Sequence, residues 1–351
     1  MQKTMKALVK ARKGYGNMEV WDVPVPKTGD DDVLMRVWGS GICGTDVHIY
    51  QDDYRAYEEG LIIGHEFSAV VEAVGKNVRR VKPGDRVVSC LETREGTMGN
   101  DHVNGCHAEY VVMPENQVFR IPDNISMKEA IMIEIVAGVI YQGLTETLDI
   151  QPGDFVVILG SGPIGLMLLQ GVKLRSPGAT VITGLKDDGV RVEMAKKIGP
   201  TYFFYNDEEV TGRVMELTNG IGADVVIECT GSEEGINQAI AMVKKSGQIG
   251  NFAVYNQEKV SVNLSEVTLK CLNIKGLWGF HEYSDPDLRP YGGAVSYRNA
   301  LRIASLGALS LDEMITHEFR LEEFEKAFEV CRNREGIKVI FRHGWTYEGD
   351  S

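Results

Sequence analysis

A cysteine, a histidine and a glutamate that could bind one metal ion lie close together in the first part of the sequence. Cys43 stands in the glycine-flanked stretch GICGTDVH, and His65 and Glu66 follow about 20 residues later in GHE. Thiolate, imidazole and carboxylate are the ligand types that zinc accepts, and a catalytic zinc keeps one position open. Taken singly, such a cysteine is more often a small buried hydrophobe. Their joint occurrence, upstream of a glycine-rich motif, predicts an open zinc site.

That glycine-rich motif, GSGPIG, follows the apolar run FVVILG and opens a stretch of helical periodicity. In a dinucleotide-binding fold the first glycine permits a tight turn, the second admits the pyrophosphate and the third lets helix and strand pack closely. A glycine-rich turn in an unrelated α/β fold is the alternative, which the surrounding alternation of strands and helices disfavours. The candidate cofactor contacts are Gly160, Gly162, Pro163, Ile164 and Gly165.

The next strand bears on the choice between NAD and NADP. It ends as TGLK, without a carboxylate until Asp187, where an NAD site usually has an acidic residue for the adenosine ribose. Lys186 or Arg191 could instead hold a 2′-phosphate, which favours NADP slightly over NAD. In the alternative interpretation both cations are solvated and Asp187 reaches the ribose. Thr230, after the strand-like run ADVVIEC, is a further candidate cofactor contact.

The elements that must position these residues fall into two parts, as expected for 351 residues. Short β-rich runs from Met5 to about Arg120 predict a partly closed antiparallel β domain. From Phe155 onward, buried strands alternate with helices, which predicts an α/β domain with a doubly wound parallel sheet. We place the first domain at residues 1–150, with 287–351 returning to it, and the dinucleotide-binding domain at 151–286.

Composition and charge narrow the class of protein. Hydrophobic residues make up 43% and charged residues 25% of the chain, as in ordinary globular proteins. The net charge of −13 disfavours a nucleic-acid partner. We expect no membrane partner and a cytoplasmic location, because the sequence shows neither a bilayer-length apolar run nor a signal-peptide core. The six cysteines are scattered without paired spacing, which argues against a disulfide scaffold.

Six motifs together resemble the medium-chain, zinc-containing alcohol dehydrogenase family: GICGTDVH, GHE, GDRV, AEYVV, IPD and GSGPIG. The resemblance runs over nearly the whole chain. It implies a GroES-like, partly closed β-barrel catalytic domain joined to a Rossmann domain, with hydride transfer between an alcohol and NADP or NAD. The segment ICGTDVHIY is similar to the corresponding segment of both the threonine dehydrogenases and the polyol (sorbitol) dehydrogenases. It does not distinguish between these two groups.

The resemblance also implies roles for individual residues. Cys43, His65 and Glu66 would be zinc ligands or lie next to the zinc. Thr45 would lie against the alcohol and begin a proton relay that His48 continues.

Two further acidic residues gain a role from the same resemblance. Asp46 would orient a metal ligand. Glu134 falls where polyol dehydrogenases bind zinc directly or through water, although Ile135 replaces the proline usual after it. Whether Glu66 or Glu134 contacts the metal directly stays open.

The segment after GDRV departs from many family members, which carry four closely spaced cysteines there. Here it holds only Cys90, so a structural zinc cannot be assembled. We therefore expect one catalytic Zn²⁺ and no structural zinc. Cys90 and Cys106 are interpreted as packing residues, and His102 and His107 as ordinary loop residues rather than residues lining the entrance.

The partner predicted by these features is a small polar alcohol or ketone, such as a polyol, sugar or cyclitol. Threonine is the enzymatic alternative, and a non-catalytic nucleotide-binding homologue is the alternative of another class. We also expect a homodimer or homotetramer, with residues 272–279 as the candidate edge. The polar residues that could surround the substrate, or be solvated loop residues, are Tyr50, Asp52, Tyr54, Arg55, Glu92, Arg94 and His281.

Overall fold

The computed structural model describes residues 3–54, 57–91, 96–100, 102–206, 209–255, 259–277 and 294–345. The chain divides into two compact units, Met1–Ala137 with Phe280–Ser351, and Gly138–Gly279. The domain limits placed at 150 and 286 from the sequence stay a proposal about which segments fold as independent domains.

Two sheets build the first unit. Their strands are β1 (Thr4–Lys10), β2 (Met18–Pro24), β3 (Asp32–Gly41), β4 (Leu61–Ile62), β5 (Glu66–Val74), β6 (Arg86–Ser89), β7 (Tyr110–Pro114), β8 (Val118–Arg120), β15 (Ile315–Phe319) and β16 (Lys338–Arg342). The three-stranded sheet has the order β2-β1-β4, and the larger sheet has the order β15-β16-β3-β5-β6-β8, with β7 also pairing with β3. All pairs are antiparallel except β15 with β16.

Short helices complete this unit. They are α1 (Gly44–Gln51), α2 (Met127–Ala130), α3 (Ile133–Ile135), α9 (Ala294–Ala304), α10 (Leu311–Met314) and α11 (Phe324–Arg332), with 3₁₀ turns at Glu115–Gln117 and Leu321–Glu323. The helix α11 buries Ala327 and Phe328 in a core cluster that also includes Ile49 of α1 and Phe341 of β16. The last part of the chain is thus packed onto the segment that follows Cys43.

The second unit contains one six-stranded parallel sheet with helices. A π-helical segment (Val136–Thr147) begins in the last two residues of Met1–Ala137 and continues into this unit. The other elements are the strands β9 (Phe155–Leu159), β10 (Ala179–Gly184), β11 (Tyr202–Tyr205), β12 (Ala223–Glu228), β13 (Val243–Asn251) and β14 (Asn273–Gly276), and the helices α4 (Pro163–Lys173), α5 (Gly189–Ile198), α6 (Val210–Leu217), α7 (Glu233–Met242) and α8 (Leu264–Leu269). The strand order is β11-β10-β9-β12-β13-β14, and every pair is parallel. The doubly wound parallel sheet predicted from the sequence is confirmed.

The inner strands of this sheet explain the long apolar runs in the sequence. Residues 156–159 of β9 and 225–227 of β12 are fully buried, as expected where helices cover both faces. Within the described part of the chain, no helix has the length and apolar character needed to cross a membrane.

Candidate metal centre and nucleotide-binding loop

Strand register brings Cys43 next to His65 and Glu66. Gly41, at the end of β3, pairs with Glu66, at the start of β5. A Cβ atom at Gly41 would collide with the Glu66 carboxylate, so the glycine before Cys43 makes room for that side chain. One ligand atom each from Cys43, His65 and Glu66 lies within 4.8 Å of the others, and the described residues contain no second such group.

The residues of this group fit a zinc ion. Sulfur, imidazole nitrogen and carboxylate oxygen are the donors that zinc prefers. The Nδ1 atom of His65 is buried and has no hydrogen-bond partner within the described structure, which is costly unless a ligand occupies it. Burial opposes the charged form of His65, but Cys43, Asp46 and Glu134 outweigh it and raise its pKa well above the usual value.

Asp46 ties the two ligand-bearing segments together. It is fully buried and accepts hydrogen bonds from the backbone N–H groups of Cys43 (2.8 Å) and Gly64 (3.1 Å). Burial would raise the pKa of Asp46, but His107 and His65 hold it below the usual value. An ionised Asp46 can therefore fix the spacing between Cys43 and His65, which follows Gly64.

His107 supports Asp46 from behind. Its Nε2 atom lies 3.5 Å from the Asp46 carboxylate and its Nδ1 atom 2.8 Å from the Ser40 hydroxyl. His107 is fully buried, and a Cβ atom at Gly64 would lie 2.6 Å from its ring. The interpretation of His107 as an ordinary loop histidine was wrong, because β3, Gly64 and Asp46 enclose it.

Lys338 lies at this centre and was not predicted from the sequence. Its ammonium group donates to both carboxylate oxygens of Glu66, at 2.8 and 2.7 Å, and to the Ile42 carbonyl at 3.1 Å. Burial opposes its charge, but Glu66 outweighs burial and raises the pKa of Lys338. A direct bond from Glu66 to a metal would have to compete with this ion pair. The available signal was a lysine that opens the apolar run KVIF.

Glu134 lies near this centre, on α3, without joining the group of three. Burial and the Glu66 charge raise the pKa of Glu134 above its usual range, while His65 and Lys338 act in the opposite direction. The side chain is thus close enough to interact electrostatically with His65 and Glu66. Its role as a metal ligand stays a prediction.

The two residues predicted to move a proton lie on α1. The Thr45 hydroxyl is 3.9 Å from the Cys43 sulfur, and Thr45 is buried. His48, which is partly exposed, contacts the Asp53 carboxylate through Nδ1 at 2.9 Å. Asp53, which the sequence analysis did not single out, can hold the imidazole in one orientation.

The polar residues suggested for substrate recognition are partly engaged in packing. Tyr50 stacks on Phe328 with ring centroids 4.8 Å apart, and Asp52 accepts a hydrogen bond from the Tyr57 hydroxyl. Tyr54 packs against the same core cluster. Arg55, Glu92, Arg94 and His281 lie outside the described residues.

The glycine-rich loop of the second unit shows why its glycines are needed. Gly160 has φ +107°, in the left-handed region, and its N–H donates to the Thr183 hydroxyl at 3.0 Å. A Cβ atom at Gly165 would overlap the Gly160 carbonyl, whereas a Cβ atom at Gly162 would meet nothing within 4 Å. Gly162 caps α4, and Pro163 and Ile164 form the first turn of that helix.

The residues at and after the end of β10 contact neighbouring side chains. A Cβ atom at Gly184 would lie 2.6 Å from the Ser161 hydroxyl, which is itself buried without a hydrogen-bond partner among the described residues. Lys186 lies over the Tyr205 ring at 5.9 Å, and Arg191 pairs with Asp188 at 3.9 Å. Ser161 is a second residue that the sequence analysis missed.

Thr230 is held in place at the end of β12. Its backbone N–H donates to the Glu228 carboxylate at 2.6 Å, and its hydroxyl donates to the same oxygen. Tyr255 donates to the other carboxylate oxygen of Glu228 at 3.0 Å. Thr230 is thus fixed at the carboxyl end of a parallel strand, the edge of such sheets where nucleotides bind.

Comparison with known protein families gives two matches in this chain. Residues 29–123 match the alcohol dehydrogenase GroES-like domain, and residues 163–289 match the zinc-binding dehydrogenase family.

Curated relatives match along nearly their full length. D-arabitol-phosphate dehydrogenase of Enterococcus avium is 32% identical, over 97% of this chain and 98% of the relative. Sorbitol dehydrogenase of Halalkalibacterium halodurans is 31% identical, over 96% and 98%. L-threonine 3-dehydrogenase of Bacillus subtilis is 32% identical, also over 96% and 98%.

A solved structure shares the fold. It is a putative zinc-binding dehydrogenase from Sinorhizobium meliloti bound to NADP, with a TM-score of 0.82 and 26% identity, and the match covers 97% of this chain and 100% of that one.

Proposed function

Because this chain belongs to the medium-chain, zinc-containing alcohol dehydrogenase family, we propose that it oxidises a secondary alcohol bearing further hydroxyl groups, or reduces the matching ketone. The chain is a zinc-dependent oxidoreductase that transfers hydride between an alcohol and NAD(P). A polyol, sugar or cyclitol is the proposed substrate class. The names of two polyol-type relatives support it, and threonine is the alternative that a third relative favours.

The observation that carries the proposal is the convergence of Cys43, His65 and Glu66 within 4.8 Å. Cys43 and His65 would hold the zinc, together with Glu66 or Glu134. When bound, zinc supplies Lewis-acid chemistry that lowers the pKa of a substrate hydroxyl.

The remaining steps fall to side chains of α1. Thr45, which is buried beside Cys43, would take up the proton that the alcohol loses. His48, partly exposed and oriented by Asp53, would carry that proton to solvent. General-base relays of this kind need each group within hydrogen-bond reach of the next once substrate is bound.

For the cofactor, we propose NADP slightly ahead of NAD. The strand β10 ends in Gly184 instead of a carboxylate, so nothing at that residue repels a 2′-phosphate. Lys186 and Arg191 supply positive charge nearby in the sequence, and the buried Ser161 hydroxyl lies beside Gly184. The NADP bound to the Sinorhizobium meliloti relative supports the same choice.

Three further features belong to the proposal. We propose a single catalytic zinc per chain and no structural zinc. The enzyme is proposed to be a homodimer or homotetramer with β14 at the interface. A cytoplasmic location suits the six free cysteines, since reducing compartments keep thiols free.

The test combines metal analysis with turnover. Purified protein is expected to contain one zinc per chain by mass spectrometry. It should oxidise members of a sorbitol, xylitol and myo-inositol panel faster than L-threonine, with NADP and NAD compared for each.

Cys43→Ala is the matched variant for this test. It should lose zinc and turnover while NADP binding stays at the wild-type level, because Cys43 lies outside the nucleotide loop. The exposed Cys271→Ala serves as control and should keep both. Normal turnover by Cys43→Ala would show that the ligand assignment is wrong, and preference for threonine would replace the polyol assignment.

A further inference from the structure

A buried carboxylate, that of Glu228, lies where β12 ends and the loop after it begins. Glu228 is inaccessible to solvent, at 0% exposure. One of its oxygens accepts hydrogen bonds from the backbone N–H and the hydroxyl of Thr230, and the other accepts a hydrogen bond from the Tyr255 hydroxyl. These donors offset the cost of burying a carboxylate. Neither the metal centre nor the proposed proton relay includes this side chain.

Thr230 connects Glu228 to the start of α7. The Thr230 hydroxyl lies 2.8 Å from the Ser232 hydroxyl, which accepts a hydrogen bond from the Gly235 N–H at 2.9 Å. A Cβ atom at Gly235 would lie 2.7 Å from the Glu228 carboxylate and closer still to the Thr230 hydroxyl. The glycine at position 235 therefore leaves the space that this network of hydrogen bonds occupies.

The loop after β12 also contacts the first glycine of the nucleotide loop. A Cβ atom at Gly160 would lie 3.3 Å from the Thr230 methyl carbon and 3.5 Å from the Cys229 sulfur. The thiol and the backbone N–H of Cys229 both donate to the Leu159 carbonyl, at 2.9 and 3.2 Å. Cys229 and Thr230 thus pack against the turn at which Gly160 adopts its positive φ. Because Glu228 holds Thr230, a change at Glu228 should alter this turn.

We propose that Glu228 is a positioning residue for the dinucleotide and acts through Thr230 on the turn at Gly160. The proposal rests on the binding of NADP or NAD by this loop. A side chain that solvent cannot reach acts on a bound cofactor through its neighbours. A loop that is ordered before the cofactor arrives loses less conformational freedom on binding, so the network raises the affinity. The first glycines of such loops admit the pyrophosphate, so the effect belongs to ligands that carry one.

The experiment measures the affinity of the full-length protein for NADP and for adenosine 2′,5′-bisphosphate by isothermal calorimetry. The bisphosphate contains the adenosine half of NADP without the pyrophosphate and the nicotinamide. If the wild type prefers NAD, then NAD and 5′-AMP form the pair. Glu228→Ala should weaken binding of the dinucleotide at least about tenfold and that of the half molecule less than about threefold. Glu228→Gln keeps an oxygen for Thr230, so it should bind both ligands within about threefold of the wild type.

Asp224→Ala is the matched control, because Asp224 lies near the other end of the same strand. Its carboxylate accepts a hydrogen bond from the Phe155 N–H at 2.7 Å and pairs with Lys244. The variant should lower the thermal unfolding temperature yet keep the wild-type affinity for both ligands. A purely structural role of Glu228 would make Glu228→Ala behave in the same way.

Tyr255→Phe takes the place of Glu228→Ala if circular dichroism shows that the latter does not fold. It removes one hydrogen bond to Glu228 without leaving a cavity, and it should weaken dinucleotide binding about threefold while binding of the half molecule stays unchanged.

Wild-type affinity for the dinucleotide in Glu228→Ala would overturn the proposal. An equal loss for both ligands would also overturn it, since the whole nucleotide site would then be distorted, and so would a loss in Glu228→Gln as large as that in Glu228→Ala. If the wild type bound neither NADP nor NAD, the nucleotide assignment itself would fail, which is a different result from any of these.

Discussion

The buried ion pair between Lys338 and Glu66 sets the electrostatics of the metal centre at the residue scale. Both side chains are almost inaccessible to solvent, at 3% and 0% exposure. Two isolated buried charges would each be costly, and the bond to both carboxylate oxygens offsets that cost. Lys338 therefore holds the Glu66 carboxylate in place whether or not it binds the metal directly.

Removing one partner of this pair should destabilise the fold. Lys338→Met leaves the Glu66 carboxylate buried without its counter-ion, and we expect a loss of about 3–5 kcal/mol in the free energy of unfolding. The double variant Lys338→Met/Glu66→Gln should recover much of that loss, because no unpaired charge remains. Urea unfolding of metal-free protein measures both. Additive effects of the two single substitutions would mean that the pair is not coupled.

His343 should make the folded state sensitive to mild acid. Burial, His107 and Arg342 lower the pKa of His343 to about 3, whereas an unfolded histidine titrates near 6.5. Below about pH 6.5 His343 is protonated in the unfolded chain but stays neutral in the folded chain until the pH nears 3. The stabilising contribution is thus complete above that pH and declines as the pH falls towards about 3.

The predicted size of this effect is about 2 kcal/mol between pH 7 and pH 5. His343→Leu cannot titrate at this position. Between pH 7 and pH 5 it should therefore lose about 2 kcal/mol less of its free energy of unfolding than the wild type does. Unfolding in urea at both pH values, with metal removed, provides the comparison. The control is His102→Leu, an exposed histidine paired with Glu58, and it should follow the wild type. A parallel pH response in His343→Leu would contradict the assignment.

The candidate site residues could be predicted from the sequence to the extent that they lie at short spacing. Cys43, Thr45 and His48 share one segment, and His65 and Glu66 are adjacent. Lys338 lies 272 positions from Glu66 and reaches it only because β16 pairs with β3. Pairing between strands so distant in sequence cannot be read from local periodicity. His107 was misinterpreted for the same reason.

At the scale of an element, the loop between β9 and α4 contains glycines that are needed for two different reasons. Gly165 is required by the fold, since a Cβ atom there would overlap the Gly160 carbonyl. Gly162 faces open space, with an ordinary φ of −68°, so the fold alone does not demand a glycine there. The sequence motif assigned a separate role to each glycine, and the left-handed φ of Gly160 and the close packing at Gly165 agree with the roles of the first and the third.

These two glycines should therefore respond differently to alanine. Gly165→Ala is expected to cost about 1–3 kcal/mol of unfolding free energy, because the helix must shift away from the strand. Gly162→Ala should keep wild-type stability yet bind NADP at least about tenfold more weakly, since the methyl group would enter the space through which the pyrophosphate is expected to approach. Urea unfolding and cofactor fluorescence titration measure the two effects. Wild-type NADP affinity in Gly162→Ala would mean that this loop does not hold the phosphates.

At the scale of the whole molecule, hydrophobic patterning predicted the parallel sheet well, because its inner strands are continuous apolar runs such as FVVILG. The first unit was harder to predict. Its main sheet combines strands from both ends of the chain, and one pair, β15 with β16, is parallel. Short strands such as Leu61–Ile62 carry too few residues for an alternating pattern. Their positions follow from tertiary pairing instead.

The outermost strand β14 is where the assembly of whole molecules should be decided. It ends the six-stranded sheet and, among described residues, pairs only with β13. Its Ile274 is 41% exposed, and the nearby Leu269 is 70% exposed. An exposed apolar edge offers unpaired backbone groups to a second copy. Trp278 and Gly279, at the end of the candidate edge 272–279, lie outside the described residues.

A charge placed on this edge should therefore dissociate the oligomer. Ile274→Lys puts an ammonium group where two copies of β14 would meet, and burying it there would cost more than the strand pairing returns. Light scattering coupled to size-exclusion chromatography should show a dimer or tetramer for the wild type and a smaller species for the variant. Ile221→Lys, at an exposed position of the same unit, is the control and should keep the wild-type mass. If Ile274→Lys also kept that mass, the subunits would have to meet through another surface.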